Sequence, residues 1–161
     1  IAWVGDSRAY LYRGKRLAPL TRDHSFVESL VQRGDLSRED ARRHPQRNVV
    51  TRSLGIGDPE PATVRVPLQA GDALLLCSDG LTDELPDEEI ARLLAAGGTL
   101  RRRVDGLVAA SNAAGGRDNV TIALVEAMGN PARAEALRAV VLGGTLALVV
   151  GGLAWLLKTV L

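Results

Sequence analysis

The sequence has few of the side chains that build disulfides, zinc sites and nucleic-acid-binding surfaces. Its single cysteine, Cys77, excludes an internal disulfide and a cysteine-based zinc site. Its two histidines, His24 and His44, lie in different segments and lack the spacing of a ligand pair. Aromatic residues make up only 3% of the 161 residues and the net charge is +1, so we expect no nucleic-acid partner.

The chain also lacks charge near its end, because the 19 residues 139–157 contain no Asp, Glu, Lys or Arg. As a helix rising about 1.5 Å per residue, this segment would span about 28 Å, enough for a bilayer core. A buried helix of a soluble domain is the alternative. We therefore predict a linker at 129–138 and a transmembrane helix at 139–157. By the positive-inside rule, Arg133 and Arg138 place the globular part of this single-pass cell-membrane protein in the cytoplasm.

Apolar runs and turn residues predict alternating strands and helices. The chain opens inside an apolar run at 1–4, with no initiator methionine or signal peptide, as the middle of a domain would. We expect an antiparallel meander over 1–19, and further strands at 48–54, 62–67, 73–77 and 120–125. Helices are expected from the N-cap residues Ser25 and Ser37, and over about 87–96 and 99–114.

Three aspartates share one context at the ends of apolar strands. Asp6 follows the strand at 1–4, Asp79 follows the strand at 73–77, and Asp118 precedes the strand at 120–125. Carboxylates converging in one cleft repel each other unless a cation neutralises them, and Mg²⁺ or Mn²⁺ prefers such oxygen ligands. Each aspartate has a second reading as an ordinary turn residue. Asp83 has another, as an acid at the start of the helix that follows.

Four motifs in order carry a family resemblance: "VGDSRAYLYR", "LTRDHSFVESLVQRGDLSREDARRHPQRNVVTRSLG", "GDALLLCSDGLTDEL" and "GGRDNVTIALV". Together they closely resemble the bacterial form of the PP2C (PPM) family of metal-dependent Ser/Thr protein phosphatases, over residues 1 to about 126. The resemblance implies an α+β fold, the α-β-β-α sandwich in which two antiparallel sheets are flanked by helices. It also implies that about 25–52 forms the flap, a segment beside the active site that influences substrate access.

The resemblance also implies a set of metal ligands. Asp79 and Asp118 would bind a centre of two Mn²⁺ or Mg²⁺ ions, and Asp6 would hold a third ion with weaker help from Asp83. Gly80 and Asn119 would lie next to these ligands and support them without binding the ions. No catalytic side chain beyond the metal ligands is implied.

The family's N-terminal portion, which carries an aspartate-glycine motif that bridges the metals, is absent from the chain. We therefore expect residues 1–128 to be the C-terminal part of a catalytic domain. The expected activity is hydrolysis of phosphoserine and phosphothreonine on proteins, the products of Ser/Thr kinases, by a metal-activated water at the membrane. The alternative is a catalytically inactive, phosphatase-like module that binds a partner at the membrane.

Overall fold

A computed structural model describes residues 1–56, 59–129 and 137–142 of the chain. Seven strands and five helices lie in these ranges. The strands are β1 (Ala2–Trp3), β2 (Arg8–Arg13), β3 (Arg16–Pro19), β4 (Ala62–Thr63), β5 (Ala73–Cys77), β6 (Ile122–Ala127) and β7 (Leu137–Leu142). The helices are α1 (Phe26–Arg33), α2 (Arg38–Arg43), α3 (Asp79–Thr82), α4 (Asp87–Ala95) and α5 (Leu100–Ala114).

The centre of the fold is an antiparallel sheet of five strands in the order β3-β2-β5-β6-β7. Strand β5 is the middle strand of this sheet, and every second one of its apolar residues is buried. Leu75 of β5 lies opposite Tyr10 on β2 and Leu124 on β6. Helices α4 and α5 cover this face and bury Ile90 and Leu107 completely against it. The mixed α/β fold with antiparallel sheets agrees with the predicted class, and the buried sheet fixes where β5 ends and the site begins.

Helix ends follow the predicted capping. Ser25 accepts the backbone N–H of Glu28, and Ser37 accepts that of Asp40, so both serines are N-caps. Helix α1 ends at Gly34, whose φ of 81° lies in the left-handed region that suits glycine. Helix α2 ends at Arg43, because Pro45 disfavours a helical conformation at the residue before it.

The predicted meander over 1–19 is only half right. Strands β2 and β3 pair as expected, with Arg13 opposite Arg16, but β1 pairs with the distant β4 in a separate sheet of two strands. The predicted strand at 48–54 is wrong, because this segment contributes only a single bridge from Val50 to Ser25. Its backbone instead ties the loop to the start of α1, where the Phe26 N–H donates to the Val49 carbonyl at 2.8 Å.

The structure describes only residues 129 and 137–142 of the predicted linker and transmembrane helix, so these two assignments as a whole stay predictions. Residues 137 and 138 of the predicted linker and 139–142 of the predicted helix form β7, which pairs antiparallel with β6. The edge of β6 offers unpaired backbone groups, and β-branched residues such as Val140 and Val141 favour a strand. The rest of the predicted helix, 143–157, lies outside the described residues. Among the described helices, none has the length and apolar character needed to cross a membrane.

Candidate metal centre

A cleft of about 820 Å³ lies beside the end of β5 and is lined mainly by charged residues. Three of the four predicted ligands, Asp6, Asp79 and Asp83, line it. They come from the turn before β2 and from the short helix α3. The structure therefore brings together carboxylates that are more than seventy positions apart in the chain.

Asp6 lies in the turn between β1 and β2, and a histidine fixes this turn. The Gly5 N–H donates to Nδ1 of His24 at 3.1 Å, and the His24 N–H donates back to the Gly5 carbonyl at 2.9 Å. Partial burial raises the pKa of Asp6, and repulsion from Asp79 raises it further. The charged form of Asp6 is therefore disfavoured until a cation approaches.

Asp79 and Asp83 lie on α3, a helical turn that the sequence analysis did not predict. Asp79 begins the helix directly after β5, and its Oδ1 accepts the Gly80 N–H at 2.9 Å. Asp83 ends the same helix, so its alternative reading as the start of the next helix is wrong: α4 begins only at Asp87. Asp83 is exposed to solvent on one side. Its pKa is nevertheless raised, first by desolvation where it contacts the wall of the cleft and then by repulsion from Asp79.

The loop that carries Asp118 packs directly against the start of α3. The Ser78 hydroxyl donates to the Asn119 carbonyl at 3.2 Å and accepts the Thr121 N–H at 3.1 Å. A Cβ on Gly80 would lie 2.5 Å from the Asn119 carbonyl oxygen, so only glycine lets the two segments approach this closely. The two segments predicted to supply the central ligands are therefore neighbours, and Gly80 and Asn119 form their contact.

Asp118 itself is exposed and is not among the residues that line the cleft. Its Oδ1 accepts the Asn119 N–H at 2.6 Å. In the part of the chain that the structure describes, no three His, Cys, Asp or Glu side chains converge closely enough to hold one ion. The ligand roles of Asp6, Asp79, Asp83 and Asp118 thus stay predictions.

Five further carboxylates of the cleft were missed: Asp23, Asp87, Glu28, Glu39 and Glu88. Asp23 and Asp87 belong to one chain of hydrogen bonds. Arg8 donates from Nε and Nη2 to Asp23 at 2.7 to 3.1 Å, and its Nη1 donates to the Tyr10 hydroxyl. The Tyr10 hydroxyl donates in turn to Asp87 at 3.2 Å. Neither acid follows an apolar strand, so no strand-end signal marks it. Because Arg8 engages both oxygens of Asp23, this ion pair has a fixed orientation in the wall of the cleft.

The flap forms the opposite wall and is rich in arginine. Arg38, Arg42, Arg43 and Arg47 line the cleft from α2 and the loop after it. Arg42 crosses to α3, where it donates to the Thr82 and Leu85 carbonyls at 2.9 and 3.2 Å. An acidic floor facing a basic wall suits a cation and an anionic group bound side by side.

The donor chemistry of the cleft fits a hard divalent cation. The candidate ligands are carboxylate oxygens, and such cations keep several waters and need only one or two protein carboxylates. Desolvation first, and repulsion from Asp79 next, raise the pKa values of Asp6 and Asp83, and a bound cation would relieve that repulsion. Cys77, by contrast, is buried, which raises its thiol pKa to about 12 and makes it a poor nucleophile.

Comparison with known proteins gives the family. The family model for Stage II sporulation protein E (SpoIIE) matches residues 31–128. The serine/threonine phosphatase Stp of Listeria monocytogenes is 46% identical over 127 residues, which cover 78% of this chain and 50% of that protein. The structure of the S. agalactiae serine/threonine phosphatase is 43% identical with a TM-score of 0.73, over 76% of this chain and 51% of that one.

A further solved structure contains metal. It is the catalytic domain of the phosphatase PstP in complex with two manganese ions, 35% identical with a TM-score of 0.68, over 76% of this chain and 50% of that one. This chain spans about half the length of the curated relatives that it matches. The motifs, the sheet and these matches agree: the chain belongs to the family that the SpoIIE model describes and, by its relatives, to the bacterial PP2C (PPM) Ser/Thr phosphatases.

Proposed function

We propose that this chain is part of a metal-dependent phosphatase that hydrolyses phosphoserine and phosphothreonine on proteins. The observation that carries the proposal is the acidic cleft at the end of β5, which Asp6, Asp79 and Asp83 line, in a chain whose relatives are named phosphatases. The manganese in the PstP complex supports Mn²⁺ or Mg²⁺ as the cofactor.

Each part of the cleft has a role in this proposal. Asp79 and Asp118 hold two divalent ions, and Asp6 with Asp83 holds a third. When bound, the ions act as Lewis acids and lower the pKa of water so that a nucleophile forms near neutral pH. The arginines of the flap attract the phosphorylated segment of the substrate and orient it over the carboxylates.

The test uses the protein expressed from its complete reading frame, with a phosphothreonine peptide and Mn²⁺. We expect phosphate release that EDTA stops. Asp79→Asn and Asp118→Asn should each lower the rate by about 100-fold or more, because ligand loss removes several kcal/mol of stabilisation. Asp83→Asn should lower it less. Asp105→Asn on the exposed face of α5 is the matched control. Equal rates in all four variants would reject the ligand assignment.

A second candidate is an inactive phosphatase-like module that binds a phosphoprotein. Two observations favour it: Asp118 lies outside the cleft, and the described residues contain no group of three converging metal ligands. The same assay separates the two candidates. Tight binding of the phosphopeptide without Mn²⁺-dependent phosphate release would support the module and exclude the enzyme.

We also propose that the protein is attached to the cell membrane with residues 1–128 in the cytoplasm. The support is the sequence alone, in which 143–157 continue without charge beyond β7. Cell fractionation of the tagged protein tests this, with a variant that ends at residue 142 as the control. Membrane attachment predicts that only the longer protein stays in the pellet after washing with high salt. Recovery of both in the supernatant would reject it.

A further inference from the structure

Glu84 is a half-buried residue whose carboxylate joins two parts of the candidate centre. It follows Asp83 directly at the end of α3, and only 3% of its side chain is exposed. Its Oε1 accepts the backbone N–H of Arg117 at 3.2 Å and the Arg117 Nε at 2.8 Å. Its Oε2 accepts the second branch of the same guanidinium at 3.3 Å. Arg117 immediately precedes Asp118, so Glu84 is hydrogen-bonded to the residue next to a candidate ligand.

The two glycines before Arg117, Gly115 and Gly116, leave space for this contact between Glu84 and Arg117. A Cβ on Gly115 would lie 2.6 Å from Oε2 of Glu84, so any side chain at 115 would push the carboxylate away. Gly116 has a φ of 57°, a conformation that glycine adopts without strain. The "GGRDN" sequence therefore curves around Glu84 and presents both the Arg117 N–H and its guanidinium to one carboxylate.

The loop is held from its other side as well. Ser78, at the end of β5, donates to the Asn119 carbonyl and accepts the Thr121 N–H. Asp118 therefore lies between two anchored neighbours, Arg117 and Asn119. Ser78 holds this loop at the start of α3, and Glu84 holds it just after the end of α3, the helix that carries Asp79. The position of Asp118 relative to Asp79 thus depends on both anchors.

Glu84 does not fit a role as a ligand. Both of its oxygens are engaged by Arg117, and it does not line the cleft. The hydrogen bonds from Arg117 also hold the pKa of Glu84 below its ordinary value, so the carboxylate stays charged and paired. Its partner Arg117 does line the cleft, which places the pair at the edge of the site.

We infer that Glu84 is a positioning residue that fixes Asp118 relative to Asp79 and thereby sets the affinity of the centre for its divalent ions. This inference rests on the proposed function. Loss of a partner behind a metal ligand commonly weakens metal binding by about 10- to 100-fold. We expect a weakening of that size when the Glu84 carboxylate is removed.

The test compares Glu84→Ala and Glu84→Gln in the protein from its complete reading frame. Calorimetric titration with Mn²⁺ gives the affinity, and amide hydrogen exchange at residues 117–119 reports how firmly the loop is held. Glu84→Ala should weaken Mn²⁺ binding by about 10-fold or more and speed the exchange. Glu84→Gln should restore most of both, because its Oε1 still accepts the Arg117 N–H. Glu89→Ala removes an ion pair with Arg92 on α4 and serves as the control.

The outcomes separate three cases. Mn²⁺ affinity and exchange equal to those of the unmodified protein in Glu84→Ala would overturn the inference, as would a loss of folding stability with unchanged affinity. If the unmodified protein binds Mn²⁺ but releases no phosphate, the proposed function fails while the affinities still decide the role of Glu84. If it binds no Mn²⁺, the exchange at 117–119 decides, and unchanged exchange in Glu84→Ala overturns the inference.

Discussion

The two walls of the cleft are built differently. The floor, meaning α3 with the loop 115–121, is tied by buried contacts: Leu81 is fully buried, and Ser111, also fully buried, bonds the Gly80 carbonyl. The flap, α1 and α2 with the loop up to residue 52, has no buried residue in α2, and its loop leaves Val49 and Val50 45% and 38% exposed. A rigid floor keeps carboxylates in register, whereas a weakly packed wall opens at low cost.

The largest effect on stability is expected for Gly80→Ala, which attacks the floor at its tightest contact. The new Cβ would lie 2.5 Å from the Asn119 carbonyl oxygen and 3.0 Å from the carbonyl carbon, and backbone must move to admit it. We expect a loss of between about 1 and 3 kcal/mol in the free energy of unfolding, measured in urea. Gly106→Ala is the control, because Gly106 in α5 has nothing within 4 Å and alanine favours the helix. Equal stability of the two variants would contradict a tight floor.

Ser111→Ala tests the same floor from beneath. The Ser111 hydroxyl donates to the Gly80 carbonyl at 2.8 Å, and alanine would leave that carbonyl without this donor inside the fold. The expected cost is about 1 to 2 kcal/mol in urea unfolding. The matched flap variant is Ser29→Ala, which removes a similar bond from a serine hydroxyl to the Phe26 carbonyl in the half-buried α1. Ser29→Ala should cost less, and a greater cost there would invert the comparison between floor and flap.

The sequence predicted the features that depend on residues close together in the chain, but not those that depend on distant residues. Local signals worked: Ser25 and Ser37 cap their helices, and the apolar run 73–77 is a buried strand that ends at Asp79. Pairing of β1 with β4 joins residues about sixty positions apart, and no local pattern specifies it. The four residues of α3 are too few to show a helical period.

The candidate site and the C-terminal segment show the same limit. Asp79 was found because it follows a strand, whereas Asp23, Asp87 and Glu84 belong to the cleft or its support only through partners distant in sequence. An apolar run does not by itself choose between helix and strand, and for 139–142 the open edge of β6 decided in favour of a strand.

Burial of Asp6, together with its repulsion from Asp79, predicts a pH dependence. Partial burial first, and repulsion from Asp79 next, raise the pKa of Asp6 above its ordinary value. The folded protein then holds this proton more tightly than the unfolded chain, so the free energy of unfolding falls as pH rises through the raised pKa. Asp6→Asn should remove that fall in metal-free buffer, measured by urea unfolding between about pH 4 and 7. Asp35→Asn at an exposed ion pair is the control and should leave the profile unchanged. A profile that Asp6→Asn does not alter would show that Asp6 does not titrate with a raised pKa in the folded protein.

The smallest effect on stability is expected in the flap, at Arg42→Gln. Arg42 joins α2 to the Thr82 and Leu85 carbonyls, whereas Arg43 on the same helix makes only an exposed ion pair with Glu39. Arg42 itself is exposed, so water can replace part of what its guanidinium donates to these half-buried carbonyls, and we expect a loss of about 1 kcal/mol or less in the free energy of unfolding. Hydrogen exchange should nevertheless separate the two arginines, because α2 has no buried residue and depends on this contact for its position over α3. We expect faster exchange across 38–43 in Arg42→Gln and no change in Arg43→Gln, with the amides of 79–85 protected in both. If α3 loses protection together with α2, the floor and the flap open as one unit and the contrast between them fails.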